Sequence, residues 1–299
     1  MKSYASQQRL GFYSLLHSSM IFTALTLFVT LSTTSGAQKN VPTGAVTGDQ
    51  IIREMCKVYQ SAETFQDRAE AKITNLNGPQ YIQSNDIRFK RPNLIVIESR
   101  DPIQGTFYTY ATGSLVTVYS GKQNIFMQRD CPPELPGTLK RINTTVRETI
   151  GVNIEQLLSP ISFLSAKNGE LTEGSNFKVV KKETLDGHEV YRLAAKAKES
   201  WFHKFIPANS QIKIVPDLRD IVLWVDVKSH LLVKAFATLT FHIILPKSAG
   251  TPSRQILDGI TFVETHSNTR INPSFQASDF SFRQPKNATQ IYQTSRTKE

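Results

Sequence analysis

Hydrophobic and polar residues alternate with a period of two along most of the chain after residue 63. In the first such stretch, the positions of one face are Phe65, Asp67, Ala69, Ala71 and Ile73, and those of the other are Gln66, Arg68, Glu70 and Lys72. Such alternation is typical of a β-strand with two different faces. The same pattern predicts further strands over residues 81–89, 94–99, 105–111, 115–120, 125–129, 177–184, 189–196, 221–227, 231–245, 256–268 and 275–282. Asn77-Gly78 and Asp186-Gly187 favour hairpin turns, which join antiparallel neighbours.

Two segments have helical patterns instead. Residues 50–60 place their apolar side chains on one helical face, and Asp49 is the expected N-cap. Residues 138–166 are unusually apolar and predict helix with interruptions around Gly151 and Pro160. The fold class is therefore α+β, mainly β. We expect one strongly curved antiparallel sheet of about eleven strands, a half-barrel that wraps its apolar face around the helices.

Some predicted strands are apolar on both faces. Ile95 and Ile97 lie on one face of their strand, and Leu94 and Val96 lie on the other. Both faces of the sheet must then be covered. Either the helices complete an ordinary core, or they cover the sheet incompletely or reversibly and leave an apolar ligand cavity.

An arginine stands at the joint between two of these strands. Arg91 precedes Pro92, and proline cannot donate to a sheet ladder, so the joint is a strand end or an edge. A guanidinium beside an apolar surface needs acceptors. Arg91 is thus either a solvated edge residue or a polar latch.

The N-terminus predicts export. Residues 1–37 contain few charges, an apolar stretch from Met20 to Leu31, and then Ser35-Gly36-Ala37, which is the pattern of a cleavable signal peptide cut after Ala37. A short uncleaved anchor is the rival interpretation, but spanning a bilayer takes roughly 20 apolar residues. Residues 38–299 are expected to form a single domain, with an irregular insertion at 198–219. An oxidising compartment permits a disulfide between the two cysteines, Cys56 and Cys131, and the sequence leaves that pairing open.

The charge and the motifs exclude several functions. The net charge of +10 is spread along the chain without a basic cluster, so we expect no nucleic-acid partner. The histidines after the signal peptide form no metal-binding spacing; they are His188, His203, His230, His242 and His266. The acidic pair Asp217 and Asp220 fits a solvated loop. We expect no enzyme, no metal and no cofactor.

Several motifs resemble those of a known family. In chain order they are Lys90-Arg91-Pro92-Asn93-Leu94, Ser120-Gly121-Lys122, the segment Thr149 to Ser159, and Asp279-Phe280-Ser281-Phe282-Arg283-Gln284-Pro285. Together they resemble the LolA-like periplasmic lipoprotein-carrier superfamily. The segments Val118 to Gly121, Pro136 to Leu139 and Leu223 to Asp226 look closer still to uncharacterised exported relatives of LolA.

The resemblance implies a bent, half-open sheet with a helical lid over a hydrophobic cavity that holds acyl chains. Arg91 matches the family's motif arginine, which ties the lid shut through hydrogen bonds to lid backbone, and the helix ends at Gly151 and Pro160 would supply the acceptors. The expected cavity residues are Phe89, Ile95, Ile97, Phe107, Met127, Ile150, Ile154, Leu157, Leu158, Ile161 and Phe163.

The implied function is that of a monomeric, non-catalytic periplasmic carrier of lipid or lipoprotein acyl chains, served by membrane-bound donor and acceptor proteins. The alternative is an envelope sensor or adaptor module that binds a protein partner on the same fold. Trp201, Phe202 and Phe205 in the insertion either touch a membrane or partner, or pack against the sheet.

Overall fold

The structure, a computed structural model, describes residues 46–76, 80–150, 160–165, 176–196, 213–245 and 254–292. The predicted signal peptide, the cavity residues Ile154, Leu157 and Leu158, and the insertion residues Trp201, Phe202 and Phe205 lie outside these ranges. The helices are α1 (Gly48–Ser61), α2 (Leu135–Ile150), α3 (Pro160–Ser165) and a short 3₁₀ helix (Ala277–Phe280). The strands are β1 (Thr64–Asn75), β2 (Gln80–Lys90), β3 (Leu94–Asp101), β4 (Gly105–Thr112), β5 (Leu115–Ser120), β6 (Ile125–Asp130), β7 (Lys178–Leu185), β8 (His188–Lys196), β9 (Lys213–Asp226), β10 (Leu232–Leu245), β11 (Arg254–Ile271) and β12 (Thr289–Gln290).

All of these strands belong to one open sheet of 12 strands, in the order β12-β6-β5-β4-β3-β2-β1-β11-β10-β9-β8-β7. Neighbouring strands are antiparallel, except that β12 runs parallel to β6. The predicted fold class, a mainly β protein with a large unclosed sheet and few helices, is confirmed. Two predicted boundaries are wrong: β9 begins at Lys213, within the expected insertion, and residues 275–282 form no strand.

Helix α1 begins two residues earlier than its apolar pattern predicts, and its cap differs from the expected one. Thr47 is the N-cap, and its hydroxyl accepts a hydrogen bond from the backbone N–H of Gln50 while the Gln50 side chain accepts from the Thr47 N–H. This reciprocal pair satisfies two backbone donors at the helix start. The carboxylate of Asp49 is therefore free for another role, and it accepts from the backbone N–H of Phe177 near the start of β7.

One face of the sheet, here called the inner face, carries Phe65, Phe89 and Ile95 and is covered by the helices. Tyr59 of α1 packs edge-on against Phe65, with 5.6 Å between ring centroids, and its ring is 5.5 Å from that of Phe163 in α3. Helix α2 packs on β5 and β6. All three helices contribute to one continuous apolar core with the inner face.

The opposite, outer face of β3–β6 is covered by the C-terminal segment. Phe282 contacts three aromatic rings of this face, Tyr110, Tyr119 and Phe126, at centroid distances of 5.4, 6.4 and 5.3 Å. The 3₁₀ helix lies on β3 and β4, and Val96 is buried beneath this covering. The two-sided apolarity of β3 is thus explained by helices on one face and the C-terminal segment on the other.

Candidate functional site

The joint between β2 and β3 is bonded to the end of helix α1. The Nε of Arg91 donates to the Ala62 carbonyl at 2.9 Å, and its Nη2 donates to the Gln60 carbonyl at 2.5 Å. The backbone N–H of Arg91 donates to the Glu63 carbonyl at 2.9 Å. The guanidinium carbon lies 5.6 Å from the centroid of the Phe89 ring. Arg91 is half-buried. Because its side chain bonds to carbonyls of the protein, Arg91 is not the solvated edge residue of the first alternative.

These contacts follow from the chemistry of a helix end. The last carbonyls of a helix have no partner within the helix, and that end carries partial negative charge. The last turn of α1 contains no basic residue, so Arg91 supplies both the donors and the positive charge from the neighbouring joint. The prediction that the acceptors lie near Gly151 and Pro160 is wrong for these two bonds, because both acceptor carbonyls are at the end of α1. Gly151 lies outside the described residues.

A second side chain of the same joint, Asn93, is bonded to the start of helix α2. It is buried, and its Nδ2 donates to the Pro132 carbonyl at 2.9 Å and lies 3.2 Å from the Gly113 carbonyl. Thr138 in the first turns of α2 donates to the same Pro132 carbonyl at 2.8 Å. The joint therefore contacts two helical segments, α1 through Arg91 and the start of α2 through Asn93.

The far end of α2 is tied to the sheet by an ion pair. The Arg129 guanidinium of β6 lies 3.2 Å from the carboxylate of Glu148, and both side chains are about four-fifths buried. Exposed ion pairs contribute little to the free energy of unfolding, and the cost of desolvation limits the contribution of buried ones. We therefore expect this pair mainly to fix the orientation of α2 on β6.

The expected cavity residues that the structure describes are all buried, and all but Met127 belong to the same core cluster; they are Phe89, Ile95, Ile97, Phe107, Met127, Ile150, Ile161 and Phe163. Met127 pairs with Val118 of that cluster across β5 and β6. The strand residues among them lie on the helix-covered face of the sheet, and Ile150, Ile161 and Phe163 come from the helices that cover it. That they line a ligand cavity stays a prediction.

The disulfide that the sequence left open is not formed. Cys56 and Cys131 are both free thiols. The Cys131 sulfur lies 3.3 Å from the Thr138 hydroxyl at the start of α2, and burial raises the pKa of the Cys56 thiol to about 11. A thiol with a raised pKa is a poor nucleophile, which disfavours spontaneous bridging at Cys56.

The inner face also carries buried polar side chains that the sequence analysis did not single out. Ala69 of β1 pairs with Asn85 of β2 on one side and with His266 of β11 on the other. Ala71 pairs in the same way with Gln83 and Glu264. Directly paired residues share a face. We call these six residues the polar trough: two alanines form its floor and two polar side chains stand on each side.

Asp67 orients the imidazole of the trough. Its carboxylate contacts the Nδ1 of His266 at 2.8 Å and accepts from the Thr269 hydroxyl at 2.7 Å. Nδ1 therefore carries a proton in this contact, and Nε2 is left facing Glu264, 3.9 Å from its Oε2. The side chains of Asp67, Glu264 and His266 are completely buried.

Burial and neighbouring charge shift both titratable groups of the trough. Burial raises the pKa of Glu264 to about 7, against the opposing effect of the His266 charge. Burial by itself lowers the pKa of His266, but the hydrogen bond to Asp67 and the negative charges of Glu264 and Asp67 outweigh it, so the pKa is raised. Both groups therefore hold their protons more tightly than in water.

A signal for this trough was present in the sequence. Strand alternation placed Asp67 among the apolar positions of β1, and Glu264 and His266 stand two residues apart on β11. Charged residues on a face that is otherwise apolar need a partner or a role. The contacts of these charged residues depend on the pairing of β1 with β11, which lies some two hundred residues later in the chain. The alternation within each strand does not predict that pairing.

Within the described ranges, no three His, Cys, Asp or Glu side chains are arranged to hold a metal ion. Across the same ranges no helix has the length and apolarity needed to cross a membrane.

Residues 48–249 match a protein family described as "Predicted periplasmic protein (DUF2092)". The chain belongs to this family. No curated protein matches it. The expected relationship to uncharacterised exported proteins is thus confirmed by the DUF2092 match.

Solved structures with a similar fold come from several bacteria. The lipoprotein LppX of Mycobacterium tuberculosis is 14% identical with a TM-score of 0.41, and the alignment covers 76% of this chain and 96% of that chain. A LolA superfamily protein from Nitrosomonas europaea is 11% identical with a TM-score of 0.30, over 80% of this chain and 99% of that chain. The Pseudomonas aeruginosa MucA/MucB complex is 9% identical with a TM-score of 0.32, over 76% of this chain and 99% of that chain. At TM-scores below 0.5, these likenesses carry no conclusion about this chain.

Proposed function

We propose that this DUF2092 protein is a non-catalytic, monomeric carrier in the periplasm that binds the acyl chains of lipids or lipoproteins between the inner face of its sheet and its helices. Export would use the N-terminal segment as a signal peptide cut after Ala37. The observation that carries the proposal is the apolar inner face of an unclosed sheet, covered by helices whose polar contacts to the sheet and its joints, among the described residues, include those of Arg91, Asn93 and Arg129.

The energies favour exchange of helix contacts for an acyl chain. A hydrogen bond to a charged donor contributes about 1.5–3 kcal/mol, so the two side-chain bonds of Arg91 set a modest barrier to moving the end of α1. Burying a methylene group gains about 0.8 kcal/mol, so a chain of 16 carbons can gain on the order of 10 kcal/mol. An acyl chain that enters between helix and sheet would therefore offset the loss of the Arg91 bonds, and it would need to replace the apolar contacts of α1 side chains such as Met55 and Tyr59.

The first test is native mass spectrometry of the protein purified without detergent from the envelope of its own cells. We expect bound lipid or acylated peptide at about one per chain. A protein partner in stoichiometric amount without lipid would favour the sensor or adaptor function instead. Protein that carries neither, and that also fails to bind a fluorescent fatty acid such as cis-parinaric acid, would contradict the proposal.

The second test is Arg91→Leu, with Arg68→Leu as the control. Arg68 is an exposed arginine of β1, and its Nε lies 3.8 Å from the carboxylate of Asp86. Replacing it should change the free energy of unfolding little, because exposed ion pairs contribute little. Among the described residues, the hydrogen bonds of the Arg91 side chain go to the Gln60 and Ala62 carbonyls at the end of α1, so its loss should leave the sheet intact by circular dichroism. Exchange of bound cis-parinaric acid should become about tenfold faster or more, as the loss of 1.5–3 kcal/mol implies. Unchanged binding and exchange together with a collapse of stability would show that Arg91 is structural and not a latch.

A further inference from the structure

The polar trough contains buried atoms without hydrogen-bond partners in the described part of the chain. They include both carboxylate oxygens of Glu264, the Nε2 of His266 and the Nδ2 of Asn85. Asp67 beneath them is different, since it accepts two hydrogen bonds. An unsatisfied buried polar group costs about 1–3 kcal/mol, and more when it is charged. A group that brought the missing donors would recover that cost.

The chemistry of the unpartnered atoms specifies what such a group must offer. Glu264 presents two acceptor oxygens. His266 presents Nε2 as an acceptor in its neutral form, because Nδ1–H is directed at Asp67. Three acceptors that converge on the same space call for a group with several N–H or O–H donors.

Charge narrows the choice further. Asp67 and Glu264 together provide two carboxylates beside a neutral imidazole, and no lysine or arginine among the described residues bonds to any of the three. A cation would offset part of this negative charge, and a primary ammonium group supplies three donors together with one positive charge. The residues on the trough floor, Ala69 and Ala71, are small, and buried apolar side chains flank it along the same strands, including Phe65 and Ile73.

Helix α1 lies over this region. Tyr59 is fully buried, its hydroxyl accepts from the backbone N–H of Leu232, and the charges of Asp67 and Glu264 add to burial in raising its pKa. The helix that covers the trough is therefore the same helix that Arg91 fastens.

We propose that the polar trough binds the primary-amine head group of an amphiphilic ligand whose hydrocarbon chain lies along the apolar inner face. This inference rests on the proposed carrier function and names the chemical class of its ligand. In the complex, two ammonium N–H groups donate to Glu264 and the third donates to Nε2 of His266. Asn85, on the other side of Ala69, donates to an oxygen of the ligand.

The test compares three probes with the same chain length, used below their micelle concentrations at pH 8. Hexadecylamine has the N–H donors and the charge, hexadecyltrimethylammonium has the charge only, and palmitic acid has the opposite charge. Their affinities are measured by displacement of 1-anilinonaphthalene-8-sulfonate. We expect hexadecylamine to bind about tenfold more tightly than either of the others, the ratio that one recovered buried hydrogen bond gives.

Glu264→Gln is the variant that addresses the trough. It should remove the preference for hexadecylamine and leave the affinity for palmitic acid unchanged. Glu70→Gln is the matched control, since Glu70 is an exposed carboxylate of β1 on the outer face, and it should preserve the preference. Ala71→Val, which fills the floor directly beside Glu264, is a second variant that adds no polar change and should also weaken hexadecylamine selectively.

The outcomes separate the two proposals. If the three probes bind equally, or if the preference survives both Glu264→Gln and Ala71→Val, the amine site is wrong and the carrier function stands. If no probe binds, the carrier function fails and the amine site fails with it.

Discussion

Replacing Glu264 with glutamine should remove a pH dependence of stability that the wild-type protein shows between about pH 4.5 and 7. The ordinary pKa of this carboxyl is 4.5, and burial raises it to about 7 in the folded state. Between these values the folded state binds a proton that the unfolded state has released. Glu264 therefore stabilises the fold fully below its unfolded pKa, and that contribution is lost as the pH rises through 7.

The size of the effect follows from the shift. One pKa unit corresponds to 1.36 kcal/mol, so the rise from 4.5 to about 7 corresponds to about 3 kcal/mol. His266 acts in the same direction, since its pKa is also raised and the stability it provides is lost as the pH rises above about 6.5. Part of its shift comes from the Glu264 charge, so glutamine reduces both contributions.

The assay is urea unfolding at pH 5 and pH 8 for the wild type, Glu264→Gln and Glu70→Gln. The free energy of unfolding of the wild type should fall between the two pH values by about 3 kcal/mol more than that of Glu264→Gln. Glu70→Gln should follow the wild type, because Glu70 is exposed on the outer face and lies apart from the buried trough. Parallel pH profiles for the wild type and Glu264→Gln would refute the reasoning, since they would mean that Glu264 titrates alike in the folded and unfolded states.

Three further substitutions test the contacts that place the helices and the C-terminal segment. Asn93→Ala should lower the free energy of unfolding by about 1–3 kcal/mol and speed hydrogen exchange in α2 more than in α1, because the buried amide bonds the Pro132 carbonyl. Gly48→Ala should destabilise by about 1–3 kcal/mol in urea unfolding, because a Cβ would lie 2.2 Å from the Phe177 carbonyl oxygen and must push α1 away from it. Phe282→Ala should cost about 2 kcal/mol in thermal unfolding by removing three ring contacts, whereas Tyr292→Ala, at a 74% exposed side chain, should be neutral.

Local pattern predicted most of the sheet because strand period is a local property. The alternation that begins at Thr64 continues to Asn75, and the turn at Asp186-Gly187 joins β7 and β8 as expected. The same local rule failed at residues 275–282. There the phenylalanines alternate as in a strand, but the segment covers the outer face through ring contacts instead of joining a ladder.

The candidate site was harder to predict because its contacts are long-range. The need of Arg91 for acceptors follows from its charge beside an apolar strand, but two different helix ends could supply them, and the pairing with Gln60 and Ala62 is set by the packing of α1. Asn93 lies in the same motif, but an asparagine after a proline is common in turns, so its identity alone does not indicate burial. Asn93 is buried because the segment before α2 packs against it, and its amide then donates to the Pro132 carbonyl.

Two features of the structure act on the same helix. Arg91 donates hydrogen bonds to the C-terminal end of α1. Asp67 and Glu264, in and beside the polar trough, lie close to Tyr59 of the same helix. With α1 in place, the Arg91 guanidinium makes two hydrogen bonds. Several buried polar atoms of the trough, in contrast, have no hydrogen-bond partner among the described residues. Movement of α1 thus breaks charged hydrogen bonds at its end but uncovers groups that water or a ligand can satisfy. Opening would also expose the apolar side chains of α1, such as Met55 and Tyr59, which the hydrocarbon chain of a ligand must replace. The proposed function therefore predicts that Arg91 sets how often α1 opens and that the trough selects the ligand that stabilises the open state.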